Sequence, residues 1–239
     1  MLESLKQLIN KYLSYKPIPE TAEIRDVIRQ QRIEDLPYCS YDEGDLIFTL
    51  IQKHQFKSCL ETGFHTGSTA LYMAKAVSHT DGEVTSICLD DEKKLQRGQK
   101  LLAVKEYDKF HRLIVENSNT VLPELFSSGE RFDFVFIDGW KTFDHLAFEV
   151  YFFNQMLDLG GVIFFDDAYM PAVRKINLML VRHYEYEEVK YSGYIKEYPL
   201  RLHQMVTRRS RHRPYRAFSK LTDTDTQPPF RDWHFYRPF

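Results

Sequence analysis

The sequence predicts an α/β fold: a doubly wound, mostly parallel sheet preceded by a helical extension. Three observations predict it. From Ser58 onward, five short apolar runs alternate with amphipathic stretches. One run, Phe132–Ile137 (FDFVFI), is nearly all apolar, as a strand buried on both faces must be. Lastly, the polar residues suited to chemistry fall at or just after the ends of these runs, where open α/β sheets bind ligands.

Composition sets broad bounds. The chain has 239 residues, 43% hydrophobic and 28% charged, enough for one α/β domain with a real core. A formal net charge of −2 gives no overall attraction to nucleic acid or to an anionic membrane, and nucleic acid is not an expected partner. Three widely spaced cysteines, Cys39, Cys59 and Cys88, suit reduced core positions of an intracellular protein. The first twenty residues lack a signal peptide's apolar centre, and no run approaches the roughly 20 apolar residues of a membrane span. A cytoplasmic protein is expected.

Residues 1–55 show no strand–helix alternation. Met1–Leu13 has helical spacing of Leu2, Leu5, Leu8, Ile9 and Leu13; Pro17 and Pro19 interrupt it. A second helix is predicted over Thr21–Ile33, and the segment from Tyr41 leads into a third that ends near His54. This extension is either a cap on the core or a dimerisation element, so a homo-oligomer is an open expectation.

The core is predicted over 56–207. Ser58–Leu60 is the first strand, and a helix from Ser68 places Leu71, Ala74 and Val77 on one face. Val84–Leu89 is the second strand, then a charged helix runs from Asp91 to about Tyr107. Leu113–Val115 is the third strand, Val121–Phe126 a short helix and Phe132–Ile137 the fourth strand. A helix over Thr142–Leu159 carries Leu146, Val150, Phe153 and Leu157 in one stripe, and Gly160-Gly161 is expected to stop it before the fifth strand, Val162–Phe165. A helix from Ala172 to about Arg182 and two strand-like stretches, Tyr184–Tyr191 and Leu202–Thr207, follow. The tail over 208–239 is rich in arginine, proline and aromatics; its basic cluster, Arg208–Arg216, is read as a solvated loop partly paired with acids. With neither linker nor repeat, residues 1–239 are expected to form a single domain.

Two constellations carry chemistry. The first is Glu61-x-Gly63-x-x-x-Gly67, in a strand-to-helix turn. Its glycines let the backbone approach a ligand, and the free N–H groups of the following helix point at an anionic group. The spacing differs from the G-x-G-x-x-G of dinucleotide-binding proteins. The second is the set Asp138, Asp166 and Asp167, at two neighbouring strand ends. Converging carboxylates repel unless a cation neutralises them, and oxygen-only ligands suit a hard ion such as Mg2+ or Ca2+. Any one of these acids alone would be read as a helix cap or a solvated group.

In order and spacing, E-x-G-x-x-x-G at 61–67, D-G-W-K at 138–141 and G-G-V-I-F-F-D-D at 160–167 resemble the class I S-adenosylmethionine-dependent methyltransferases. The likeness is greatest to the metal-dependent O-methyltransferases, catechol O-methyltransferase-like and sugar O-methyltransferase-like. It implies a Rossmann-like sheet of seven strands closed by an antiparallel hairpin. It implies that Glu61 orients the loop or binds the amino group of the cofactor's methionine part, and that Gly63, Thr66, Gly67 and Ser68 meet its carboxylate. Ser118, in Glu116-Asn117-Ser118, would lie beside the adenine. Where the family has an acid for the ribose hydroxyls this chain has Cys88, and Asp90 is the nearest substitute. Asp138 would serve both cofactor and metal, joined by Asp166 and Asp167 as ligands of a divalent cation, Mg2+ above all. Lys141 would take the proton of an acceptor hydroxyl or stabilise its oxyanion, His145 would orient the acceptor, and Trp140 would wall its pocket. The implied acceptor is a small hydroxylated molecule. Two other classes stay open: a non-catalytic scaffold, which Cys88 permits but the carboxylate cluster opposes, and a nicotinamide-dependent oxidoreductase, opposed by the missing G-x-G-x-x-G.

Overall fold

In the computed structural model of the chain, residues 17–190 and 214–222 are described. Seven strands form one sheet: β1 (Ser58–Thr62), β2 (Glu83–Ile87), β3 (His111–Ile114), β4 (Phe132–Ile137), β5 (Leu157–Phe165), β6 (Tyr186–Glu188) and β7 (Arg216–Lys220). Their order across the sheet is β3-β2-β1-β4-β5-β7-β6. All pairings from β3 to β5 are parallel, and β7 runs antiparallel to both β5 and β6. The described helices are α1 (Ala22–Ile33), α2 (Tyr41–His54), α3 (Ser68–Val77), α4 (Glu92–Val104), α5 (Ser118–Ser127), α6 (Phe143–Met156) and α7 (Pro171–His183). The predicted Rossmann-like, doubly wound sheet of seven strands is the observed one.

The two-residue period of the strands divides the core into two layers. Phe134 and Phe136 of β4 join Val162 and Phe164 of β5 on one face, under α2 and α3. Val135, Ile137, Ile163 and Phe165 point to the other face, under α5, α6 and α7. The extension packs into the first layer: Ile24 and Ile28 of α1 and Leu46, Ile47 and Leu50 of α2 are fully buried there. Polar contacts fix the extension to the glycine loop, where Gln31 donates to the Thr66 carbonyl and hydroxyl and the Thr66 hydroxyl donates to the Pro37 carbonyl at 2.7 Å. The predicted Met1–Leu13 helix lies outside the described residues.

Two expectations need correction. Helix α6 ends at Met156, and β5 begins at once with Leu157. Gly160-Gly161 therefore belongs to the strand, in the stretch where the β4–β5 register shifts. Gly160 has φ +79°, and a Cβ on Gly161 would lie 2.9 Å from the Asp133 carbonyl oxygen, so the pair forms an irregularity of the sheet rather than a helix stop. Leu157 suggested helix because it extends the 3.6-residue stripe. Its burial comes instead from the sheet.

The second correction concerns the hairpin. β6 falls within Tyr184–Tyr191 as predicted, but its partner is β7, inside the segment read as tail, so the sheet extends past the expected boundary at 207. The Leu202–Thr207 stretch and Arg208–Arg213 lie outside the described residues. Strand β7 was hidden because Lys220 looks solvated in sequence. It is in fact buried, donating to the Asn154 and Leu157 carbonyls at 2.9 and 2.8 Å. Arg216, counted with the basic cluster, donates to the Glu188 carboxylate of β6. Among the described residues no helix is long and apolar enough to cross a membrane. All three cysteines are free and buried.

Candidate active site

The carboxyl ends of β1, β2, β4 and β5 converge because their ladders run on into the loops. Gly63 donates from its backbone to Ile87, Asp138 to Thr62, and Asp166 to Ile137, at 3.0, 2.9 and 3.2 Å. Beside them opens a cleft of about 400 Å³, lined by Gly63, His65, Cys88, Ser118, His145 and Glu149, with others. Trp140 stands at its edge, 70% exposed.

At one end of the cleft lies the glycine loop. Glu61 is fully buried and accepts from Ser86 Oγ at 2.6 Å, and Ser86 in turn lies 2.6 Å from His111 Nε2. Burial holds His111 down at about 4, so its ring is neutral and donates to Ser86, leaving the serine hydroxyl to donate to Glu61. The second oxygen of Glu61 has no partner. Burial, aided by the charge of Asp138 and opposed by the Ser86 hydrogen bond, pushes this carboxyl up to about 8. Gly67 caps α3 with φ +75°, and a Cβ there would lie 3.0 Å from Gly98 Cα of α4. Thr66 and Ser68 differ from expectation. The Thr66 hydroxyl is committed to Pro37 and Gln31, and Ser68 Oγ accepts from the Cys39 N–H at 2.9 Å, so both side chains fasten the extension.

At the end of β2, Cys88 lines the cleft as a protonated thiol, its pKa raised by burial against the opposing backbone N–H groups of His65 and Phe64. Asp90 does not reach the wall. Its carboxylate lies 2.5 Å from His65 Nδ1 and 3.1 Å from Lys94 Nζ. These donors outweigh the opposing effect of partial burial and hold it at about 2. His65 is the group that meets the cleft here. It went unread because it occupies a variable position of the glycine motif.

Further along, Ser118 Oγ and Glu149 Oε1 each lie 3.1 Å from His145 Nε2. The Glu149 hydrogen bond raises the His145 pKa against burial. His145 faces Ser118 on the cleft side and is held by Glu149. Glu149, missed in sequence, had one signal: it follows His145 by four residues on the same helix.

The carboxylates form a separate group. Ligand atoms of Asp138, Asp166 and Asp167 lie within 4.8 Å of one another. Lys141, 12% exposed in its side chain, donates to Asp138 Oδ1 at 3.0 Å and to the Ile137 carbonyl at 3.1 Å. Asp166 is pushed up to about 7 by burial and by the charge of Asp138, with Lys141 opposing. A fourth acid belongs here. Glu43 of α2 is buried and accepts from Cys39 Sγ, and burial, then the charges of Asp166 and Asp138, hold its pKa far above the usual range. One Lys141 ammonium does not balance this cluster, and such a donor set fits a hard divalent cation.

Residues 60–168 match the family described as a methyltransferase domain. Curated protein sequences give no match. Solved structures do. The O-methyltransferase TomG from Streptomyces achromogenes, involved in tomaymycin synthesis and solved with SAM, is 18% identical with TM-score 0.62, over 92% of this chain and 96% of that one. The O-methyltransferase from Bacillus cereus in complex with SAH is 15% identical with TM-score 0.65, over 93% and 100%. The SAH-bound methyltransferase PaMTH1 from Podospora anserina is 15% identical with TM-score 0.63, over 93% and 95%. At these identities the likeness carries the fold. The observed fold is the Rossmann-like fold the resemblance implied, and residues 60–168 match the methyltransferase-domain family.

Proposed function

We propose that the protein is an S-adenosylmethionine-dependent O-methyltransferase acting on a small hydroxylated acceptor with a divalent cation, Mg2+ first among candidates. The observation that carries this reading is the side-by-side placement of the two constellations: an open cleft ending at a glycine loop and, beyond Asp138, a cluster of under-neutralised carboxylates. A scaffold has no use for three half-buried carboxylates crowded at two strand ends, whose mutual repulsion costs stability.

In this reading the cofactor's methionine end lies against Gly63 and the first turn of α3, with Glu61 Oε2 accepting from its ammonium group. The ribose meets His65 and the Cys88 thiol, and the base lies by Ser118. S-adenosylmethionine supplies an electrophilic methyl group. Asp138, Asp166 and Asp167 would hold the cation, whose chemistry is to lower the pKa of an acceptor hydroxyl. Lys141 Nζ, tied to Asp138, stands where it can stabilise the oxygen that loses its proton. The rest is positioning.

The test is calorimetric titration of metal-stripped protein with S-adenosylhomocysteine, repeated with Mg2+ and with Asp166→Ala. Saturable binding of the first and separate heat from the second, lost in the variant, are expected. Absence of any S-adenosylhomocysteine binding would sink the enzyme reading, and binding without a metal effect would remove the cation.

A pH dependence follows from Glu61. Its carboxyl is neutral below about 8, yet it must ionise to receive an ammonium group. Binding then releases a proton below that pH, so affinity should rise by up to about tenfold per pH unit toward pH 8 and level off above it. Glu61→Gln should bind weakly with no such rise. A flat profile in the wild type would remove Glu61 from the contact.

A further inference from the structure

A second cluster of ligating side chains, distinct from the three aspartates, stands at the end of β2. His65, Cys88 and Asp90 offer an imidazole nitrogen, a thiol sulfur and a carboxylate oxygen, and these atoms lie within 4.8 Å of one another. Ribose hydroxyls do not explain the sulfur, because a thiol is a weak hydrogen-bond partner. Each member is held by its own surroundings. Cys88 is pinned by its backbone N–H to the Ile114 carbonyl at 3.1 Å. Its side chain is buried, and the backbone N–H groups of His65 and Phe64 act in favour of the thiolate form. The Asp90 carboxylate accepts from the Asp91 N–H at 2.7 Å through Oδ1, while Oδ2 faces His65 Nδ1 at 2.5 Å. Lys94 Nζ reaches both oxygens from the outside, at 3.1 and 3.4 Å.

The donor atoms decide what such a trio takes. One sulfur, one nitrogen and one oxygen suit a borderline-soft transition metal, whereas Mg2+ and Ca2+ take oxygen. Three protein ligands with a fourth position facing open space make an accessible zinc site rather than a closed structural one. The open side here is the cleft, which His65 and Cys88 line. We propose that His65, Cys88 and Asp90 bind Zn2+, and that the bound ion closes the β2 end of the cleft to the cofactor. Zinc bonds of about 2.0 to 2.3 Å set ligand atoms about 3.3 to 3.8 Å apart. The His65–Asp90 pair must therefore open by about 1 Å, a movement that a His65 side chain 39% exposed can make. Binding displaces the thiol proton of Cys88 and leaves the His65 proton on Nε2, so that Nδ1 presents its lone pair. The exclusion of cofactor rests on the S-adenosylmethionine reading above, in which the ribose meets the same two side chains. The zinc site itself does not.

The experiment titrates the metal-stripped full chain with Zn2+ by calorimetry and, separately, with Co2+ as a coloured stand-in. The wild type should show a sulfur-to-cobalt charge-transfer band, which oxygen-only ligands do not give, and that reading needs no variant. In Cys88→Ser the band should vanish and zinc affinity should fall by at least about 100-fold, the upper cost of losing even an outer partner of a ligand. Asp166→Ala, which alters the other cluster, should keep the band. Circular dichroism checks that both variants are folded. Saturating Zn2+ should then weaken S-adenosylhomocysteine binding at least about tenfold in the wild type and leave it unchanged in Cys88→Ser. Absence of the band in the wild type, or unaltered zinc affinity in a folded Cys88→Ser, would overturn the site and leave the cofactor reading standing. Zinc and S-adenosylhomocysteine bound together at undiminished affinity would overturn the exclusion. Failure of S-adenosylhomocysteine to bind the zinc-free chain would sink the cofactor reading, while the cobalt band would still uphold the metal site.

Discussion

Replacing Asp138 with asparagine is expected to lower methyl transfer by about 10²- to 10⁴-fold, the range spanned by loss of a well-placed proton-transfer or electrostatic group. The size of the effect comes from how many neighbours this carboxylate serves. It accepts from Lys141 Nζ at 3.0 Å, and its charge raises Asp166, Glu61 and Glu43 together. Asparagine fills the same space but leaves Lys141 without an ionised partner on its own strand end. It also removes one oxygen anion from the cluster proposed to hold the cation. The same change should ease Glu61 and Asp166 back toward the ordinary carboxyl range, because a repelling charge is gone. Two readouts separate these effects. Transfer from labelled S-adenosylmethionine, scored over a panel of catechol and sugar acceptors, reports catalysis. The pH profile of S-adenosylhomocysteine binding reports Glu61, and its upper plateau should begin at lower pH in the variant. Activity within about threefold of wild type would place the chemistry away from Asp138.

How much of this was legible in sequence depended on whether a signal was local. FDFVFI specified β4 to the residue because an all-apolar run of six has one sensible use between two turn segments. Asp138, Asp166 and Asp167 were legible because parallel topology brings neighbouring strand ends together without further detail. Glu43 was not, because nothing in its helix says that the first turn of α2 points at those strand ends. Lys220 and Arg216 masked β7 for a related reason. Each is a charged residue whose partner, a carbonyl or an acid, comes from a distant stretch of chain. Thr66 misled in the opposite direction. Its place in the glycine loop suggested a ligand contact, whereas tertiary packing gives its hydroxyl to Pro37. Periodicity finds the elements and topology finds the strand ends, but which way a polar side chain turns is decided by whatever packs against it.

Gly63→Ala is expected to be the most damaging single methyl group that can be added at this site. Gly63 has φ +102°, where a side chain is strained, and a Cβ there would come 2.4 Å from the Asp138 carbonyl oxygen and 2.7 Å from its carbonyl carbon. Those are backbone atoms at the end of β4, held by the Asp138 N–H to the Thr62 carbonyl, so they cannot swing aside as a side-chain tip would. Relief requires parting the ends of β1 and β4. That displaces Asp138 from Lys141 on one side and the glycine loop from the cleft on the other. A stability loss of about 3 kcal/mol or more is expected in urea denaturation, from backbone strain and overpacking together. Affinity for S-adenosylhomocysteine should fall by about 100-fold, as misplacement by an ångström does elsewhere. Gly129→Ala separates the two causes. Gly129 has φ +81° but nothing within 4 Å of its Cβ position, so it should show the strain alone, about 1 kcal/mol, with binding intact. If the two variants lose the same stability and Gly63→Ala still binds, the close approach of β1 to the Asp138 backbone is not what shapes the cleft. If only Gly63→Ala fails on both counts, the bare backbone at residue 63 is what lets the glycine loop and the carboxylate cluster occupy adjacent strand ends.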